Sequence, residues 1–156
     1  MRWIANHRSA IYRSTTLACV KLREMPRQLT DAEYQRLLEL RTGLRHFLRW
    51  SEEQAAAAGL TAAQHQLLLA VRGHTHPAGP TIGDVAASLL LRHHSAVGLV
   101  DRAVKAGLIT RHEDTEDRRV VRLTLTSLGA DILTLLATTH LEELERLAPK
   151  MRELWP

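Results

Sequence analysis

Two kinds of side chain in this sequence are spaced so that they could do chemistry: paired histidines, at His74 and His76 and again at His93 and His94, and paired arginines, at Arg118 and Arg119. Histidine pairs suggest a metal ion, but the spacing argues otherwise. His74 and His76 sit in a stretch rich in Pro and Gly with no cysteine nearby, and adjacent helical residues such as His93 and His94 cannot easily converge on one ion. Ligands assembled between two chains remain an alternative; no metal ligand is assigned. Enzyme chemistry has less support still, because the chain lacks a Gly-rich phosphate loop, a G-x-S-x-G turn and an H-E-x-x-H pair. Neither a catalytic residue nor a cofactor is expected. The arginines differ in that they close the acidic run Glu113-Asp114-Thr115-Glu116-Asp117. A planar guanidinium suits a phosphate or a narrow minor groove better than an ammonium does. Asp117 is placed to pair with one of them and orient it. The competing reading, a solvated charged hairpin, draws support from Glu113, Asp114 and Glu116.

The elements that must position these residues follow from periodicity and caps. Thr30-Asp31-Ala32-Glu33 has the form of a capping box. Leu37, Leu40, Leu44 and Phe47 then recur at spacings of three and four, which predicts a helix over about 31–58 ending near Gly59. A second box, Thr61-Ala62-Ala63-Gln64, opens a helix carrying Leu67, Leu68 and Val71 that stops at Arg72-Gly73. His74 to Pro80 is a loop. Thr81 caps a short helix with Ile82, Val85, Ala86 and Leu89 inward. Another helix runs from about Arg92 to Ala106, with Val97, Val100, Ala103 and Val104 on its apolar side and His93, His94, Ser95 and Arg102 outward. Leu108–His112 and Val120–Leu125 alternate as strands, with Val121, Leu123 and Leu125 inward. The seven residues between them are too polar to pack and form a wing. Thr126 caps a final long helix, which Pro149 must kink or end.

That order predicts a mainly α fold with a two-stranded β wing, a winged helix-turn-helix. In this fold the second helix of the motif enters the DNA major groove and the wing lies against the backbone or minor groove. The exposed first turn of that helix, Arg92 to Ser95, offers donors and acceptors to base edges, and its free backbone amides can hold a phosphate. An exposed polar cap without function is the alternative. Thr81 and the wing arginines are expected to fix the register on DNA.

Composition neither supports nor opposes this. The chain has 156 residues, 45% hydrophobic and 24% charged, as in an ordinary globular domain. Its net charge of +4 looks like a nucleic-acid signature until the charges are located. Five of the 21 bases (Arg2, Arg8, Arg13, Lys21 and Arg23) and one of the 17 acids (Glu24) lie in residues 1–24, which leaves 16 of each in the remainder and a net charge of zero there. The case for DNA rests on placement. No apolar run approaches the roughly 20 residues that span a bilayer, so no membrane role is expected. The lone Cys19 excludes an intramolecular disulfide and favours a reducing cytoplasm. A redox-sensing thiol there is an alternative switch.

Residues 1–24 lack an amphipathic pattern and admit three readings: a transit peptide, a flexible basic arm, or an extension ahead of a true start at Met25. The last, or a plain disordered tail, is the expectation. Residues 25–156 then form a single domain, with helices at 30–58 and 127–156 flanking a lobe at 61–126.

The run "LTAAQHQLLLAVRGH … TIGDVAASLLLRHHSAVGLVDRAVKAGLITRHEDTEDRRVVRLTLTSLG" resembles the MarR (multiple antibiotic resistance regulator) family over about residues 30–148. Its most specific parts are "VDRAVKAGLITR" and "DRRVVRLTLTSLG". The resemblance implies a dimeric bacterial regulator, generally a repressor, whose affinity for pseudo-palindromic duplex DNA changes when a small molecule, oxidant or metal is sensed. It matches Arg118 and Arg119 to the family's wing arginines. It also implies an effector site between a dimer stalk and the DNA-binding lobe, for which Phe47, Trp50, His65 and Leu69 are candidates. Gly98 departs from the family pattern, where a larger polar residue often points into the groove; close packing or close approach to DNA would account for a glycine there.

The last helix bears on assembly. Leu133, Leu136, His140, Leu144, Leu147, Met151 and Leu154 repeat at spacings of three and four, a narrow seam suited to another helix. With Leu37 on the first helix, this apolar surface exceeds what one small lobe covers. A homodimer is expected, with His140 a satisfied core or interface histidine. A winged-helix protein-interaction module without DNA binding is the alternative of a different class.

Overall fold

A computed structural model of the chain describes residues 28–154. Cys19 and the rest of residues 1–24 lie outside the described residues. The chain divides into a unit ending at Glu39 and a unit from Leu40 to Pro156. Of the first, the described part is the capped start of helix α1 (Asp31–Ala57). The expected box is formed: Thr30 N donates to Glu33 Oε2 at 2.8 Å, and Glu33 N donates to Thr30 Oγ1 at 3.3 Å. Two of the four orphan amides of the first turn are thereby satisfied.

The second unit takes up α1 at Leu40 and continues through α2 (Ala62–Arg72), α3 (Ile82–Ser88), α4 (His93–Lys105), β1 (Ile109–Glu113), β2 (Val121–Leu125) and α5 (Ser127–Leu154). Capping boxes open α2, through Thr61 and Gln64, and α3, through Thr81 and Asp84. The strands pair antiparallel with Ile109 opposite Leu125 and Glu113 opposite Val121. This is the expected winged helix-turn-helix: α3, turn, α4, then the β1–β2 hairpin.

Its core joins every element of the lobe. Leu67, Leu68 and Val71 of α2 meet Val85 of α3, Leu99 and Val100 of α4, Ile109 and Leu123 of the hairpin, and Leu133 and Leu136 of α5. Each large aliphatic removed from water in this way contributes roughly 1.5–3 kcal/mol. The buried face of α4 is Ala96, Leu99, Val100 and Ala103. This corrects the expected face by about one residue, because 96, 99, 100 and 103 complete the one stripe that meets α2 and α3, while Val97 is half-buried and Val104 exposed. On β2 only Leu123 is fully buried; Val121 stands at the exposed end of the hairpin.

The turn between α3 and α4 is closed by Leu91 N donating to Ala86 O at 2.8 Å. It places Leu90 in the left-handed region, at φ 55°, with the residue 93% exposed. Glycine usually takes this position because a Cβ there costs roughly 1–2 kcal/mol. At the other end of the lobe Thr126 caps α5: Gly129 N donates to Thr126 Oγ1 at 3.0 Å, and the hydroxyl donates to Gly107 O at 2.6 Å. The close seat needs Gly129, since a Cβ there would stand 2.0 Å from Leu108 O. Pro149 does not end α5, which continues through it to Leu154.

Two residues assigned to a dimer seam are used otherwise. Leu133 and Leu136 are 4% and 3% exposed within the single chain and belong to the lobe's own core. A partner could not reach them. Leu144 and Met151, farther along α5, are exposed, Leu147 is half-buried, and Leu37 on α1 is exposed. Among the described residues no helix is long and apolar enough to cross a membrane.

Candidate nucleic-acid interface

The first turn of α4 presents Arg92, His93, His94 and Ser95, all exposed. Arg92 occupies the cap position without a side-chain hydrogen bond to the turn. The leading amides of a 13-residue helix therefore keep free donors beside four polar side chains. Arg102 is exposed one turn beyond Gly98. A Cβ at Gly98 would meet only the Arg102 Nη1 end, at 3.4 Å, so packing does not explain this glycine. The face that could lie against a groove is thus polar, solvated and backed by a rigid core. Thr81 caps α3 as expected: its hydroxyl donates to Asp84 Oδ2 at 2.8 Å and accepts from Asp84 N at 3.2 Å. Its polar atoms serve the α3 cap. Burial pushes the Asp84 carboxyl up, and the hydrogen bonds from Thr81, with His74 and Arg122 nearby, outweigh that and hold it below the usual carboxylate value.

The wing carries the arginines at its far end. Asp117 pairs with Arg119, as expected of one of the two: Arg119 Nε donates to Oδ1 at 3.0 Å and Nη2 to Oδ2 at 2.9 Å. This fork and the Arg119 backbone N–H hold the Asp117 carboxyl below its ordinary value. Arg118 is exposed and makes no hydrogen bond or ion pair with the described residues. One arginine is therefore neutralised and directed, and the other is a full free charge.

The wing is not purely polar filler. Asp114 is buried, contrary to the expectation that none of the seven intervening residues packs. Its Oδ1 accepts from Glu116 N at 2.8 Å and Asp117 N at 3.3 Å, and its Oδ2 accepts from Arg122 Nε at 2.6 Å. These bonds, Glu116 first and Arg122 next, hold the carboxyl at about 2. Burial alone would have raised it. Arg122 reaches onward to Gly79 O at 3.1 Å and to His76 Nε2 at 3.3 Å. The Gly79 backbone lies so close to β2 that a Cβ would stand 2.1 Å from Leu123 O, and its φ is +82°. Only glycine fits there. His74 and His76 are thus loop residues; His76 lies against the wing base, and among the described residues no group of three or more His, Cys, Asp or Glu is arranged to hold a metal ion.

Sequence reading missed Asp114, Arg122 and Gly79. An arginine alternating with apolar residues in a strand reads as solvent-facing, and only the hairpin register, which sets His112 opposite Arg122, brings the two chain ends of the wing together.

Of the four effector candidates, three are gathered and one is not. Phe47 and Trp50 lie 5.8 Å apart by ring centroid, and His140 stands 4.9 Å from Trp50 and 4.7 Å from His65. His140 Nδ1 faces Leu136 O at 2.7 Å, and a carbonyl only accepts, so Nδ1 carries the proton. Nε2 then accepts from Ser51 Oγ at 2.7 Å in the neutral ring. This satisfies His140 inside its own chain. Burial, and then the neighbouring His140, lower the His65 pKa. Leu69 is exposed on α2 and has no part in this cluster.

The MarR family model matches residues 58–120, which run from the end of α1 through α4 and into the wing. A solved MarR family transcription regulator is 24% identical, covers 77% of this chain and 78% of its own, and superposes with a TM-score of 0.66. The Staphylococcus aureus MepR–DNA complex is 19% identical over 79% of this chain and 85% of that one, with a TM-score of 0.60. CouR from Rhodococcus jostii RHA1, bound to p-coumaroyl-CoA, is 22% identical over 77% and 90%, also with a TM-score of 0.60. No curated protein sequence matches the chain significantly. The MarR family signature thus covers the lobe from the end of α1 into the wing, and the chain shares the winged helix-turn-helix fold of the solved MarR family regulators.

Proposed function

We propose that the protein is a transcription regulator that binds duplex DNA as a homodimer and represses until a small molecule is bound. The observation that carries the reading is the pairing, on one rigid lobe, of an uncapped and wholly polar first turn of α4 with a hairpin ending in Arg118 and Arg119. In this arrangement the turn Arg92–Ser95 meets base edges and phosphates, Arg102 adds a phosphate contact, and the wing arginines lie against the backbone or minor groove. The DNA-bound state of MepR, which shares the fold, supports it.

The exposed leucines of α1 and α5, Leu44, Leu48, Leu141 and Leu144 among them, form the apolar surface that a second copy would cover. Two recognition helices must stand about 34–36 Å apart to meet successive major grooves, which a stalk of terminal helices can set. The small molecule is assigned to the aromatic cluster Phe47, Trp50, His65 and His140, on the precedent of CouR bound to p-coumaroyl-CoA. Sequencing the DNA fragments that the purified full chain retains from a random pool tests the core of the reading. A shared, two-fold-related motif is expected. No enrichment over the input pool would replace the regulator with a protein-interaction module.

A further inference from the structure

Among the described residues, Arg122 is the one side chain whose hydrogen bonds tie the wing to the segment entering α3. Its Nε holds Asp114 Oδ2, and Asp114 in turn holds the backbone N–H groups of Glu116 and Asp117, directly before Arg118 and Arg119. The opposite edge of the guanidinium reaches Gly79 O and His76 Nε2 in the loop. Its backbone bridges Thr81, and Leu123 N donates to Pro80 O at 2.9 Å, so the same point is also fixed through the main chain. Side chains of the ion pair are only 14% and 7% exposed.

A buried ion pair adds little net stability over apolar residues of the same size, because desolvation offsets the attraction. What it adds is geometry. A planar fork bonding a carboxylate on one edge and a carbonyl on the other permits one relative placement of the two segments it joins. A two-stranded hairpin alone is marginal and gives its tip no fixed direction.

The geometry points to Arg122 as a positioning residue for DNA binding: it fixes the direction in which Arg118 and Arg119 leave the lobe relative to α4. This rests on the DNA-binding reading proposed above. Arg122 itself need not touch DNA, since its fork is spent on Asp114, Gly79 and His76.

The test is a double-mutant cycle on a duplex recovered by selection. Arg122→Lys keeps a charge beside Asp114 and lacks the fork. It should weaken binding on the order of tenfold in the otherwise wild-type chain, the scale of losing the aimed wing contacts. In an Arg118→Ala/Arg119→Ala background it should cost less than about twofold, because nothing remains to be aimed. Asp114→Asn, which keeps the acceptor for the turn and drops the charge, should show the same dependence on background and serves if the lysine variant unfolds. Urea midpoints of all variants are measured in parallel. Equal losses in both backgrounds would overturn the proposal, since Arg122 would then act through the fold or on DNA directly. Unchanged binding on Arg118→Ala/Arg119→Ala alone would instead reject the wing's contact with DNA, and the positioning role with it. A wild-type chain that selects no duplex would reject the DNA-binding reading as a whole.

Discussion

Replacing Asp117 with asparagine separates the charge of the wing from its direction. In the folded chain Asp117 takes the Nε and Nη2 donors of Arg119, at 3.0 and 2.9 Å, so the pair offers a phosphate almost no net charge, whereas Arg118 offers a whole one. Asp117→Asn keeps size and shape and frees the Arg119 charge. Each phosphate newly neutralised steepens the dependence of log affinity on log salt by about 0.9. Over the fourfold rise from about 50 to about 200 mM salt, that is roughly a 3.5-fold greater loss of affinity than the wild type suffers, per lobe bound. At the low-salt end the variant should bind a scrambled duplex more tightly than the wild type does. Its preference for a selected duplex should shrink, because an arginine no longer held in one direction contacts phosphates indiscriminately. Fluorescence anisotropy with both duplexes across the salt range reads slope and preference together. A variant with the wild-type slope and the wild-type preference would refute the idea that Asp117 restrains Arg119.

Alanine in place of His93, His94 or Ser95 should cost about 1–3 kcal/mol on a selected duplex for each good base contact and far less on a scrambled one; equal losses on both would reduce these residues to phosphate binders. Leu144→Asp, which would place an unpaired charge in the surface assigned to the second copy, should convert a dimer to a monomer in sedimentation and abolish duplex binding with it. A charged variant that stays a dimer would remove this part of α5 from the interface. Gly129→Ala must push α5 off the Leu108 carbonyl, since the added Cβ would start 2.0 Å from it, and should destabilise by roughly 1–3 kcal/mol or more in urea; a wild-type midpoint would contradict the close seat. For pH, burial and His140 lower the His65 pKa in the folded chain, so the unfolded chain binds the proton more readily. The stability from a neutral His65 is then fully present above its ordinary value of about 6.5 and is lost as pH falls through and below it. The urea midpoint should fall from pH 8 to pH 5.5, and less steeply in His65→Leu.

Much of this fold is legible in the sequence because it is written in local terms. The boxes at Thr30, Thr61 and Thr81 and the threonine at 126 each mark a helix start within a few residues of the cap that forms. The apolar stripes identify the elements, and the order of elements identifies the motif. What escaped is non-local. The α4 face differs by about one residue because Ala96 counts as weakly apolar in a pattern, yet is fully buried in the lobe's core. Leu133 and Leu136 continue the same period as Leu144 and Met151, and nothing in a periodic row says where the lobe's own core ends and an outer surface begins. The Asp114–Arg122 pair depends on hairpin register and on a glycine 43 residues upstream of the arginine.

The seat of α5 on the strand entry has a mechanical consequence. Helix α5 has 28 residues, which at 1.5 Å per residue makes it about 42 Å long. It is pinned over its first turns, where Gly129 rests on the Leu108 carbonyl with no side chain between them and Leu133 and Leu136 sit in the lobe's core. A beam pinned so near one end acts as a lever: each degree of tilt about that point carries its far end through roughly 0.7 Å for a length of about 42 Å. Run in reverse, a displacement of a few ångströms applied near Leu154 would tilt α5 at its seat on Leu108 by only a few degrees.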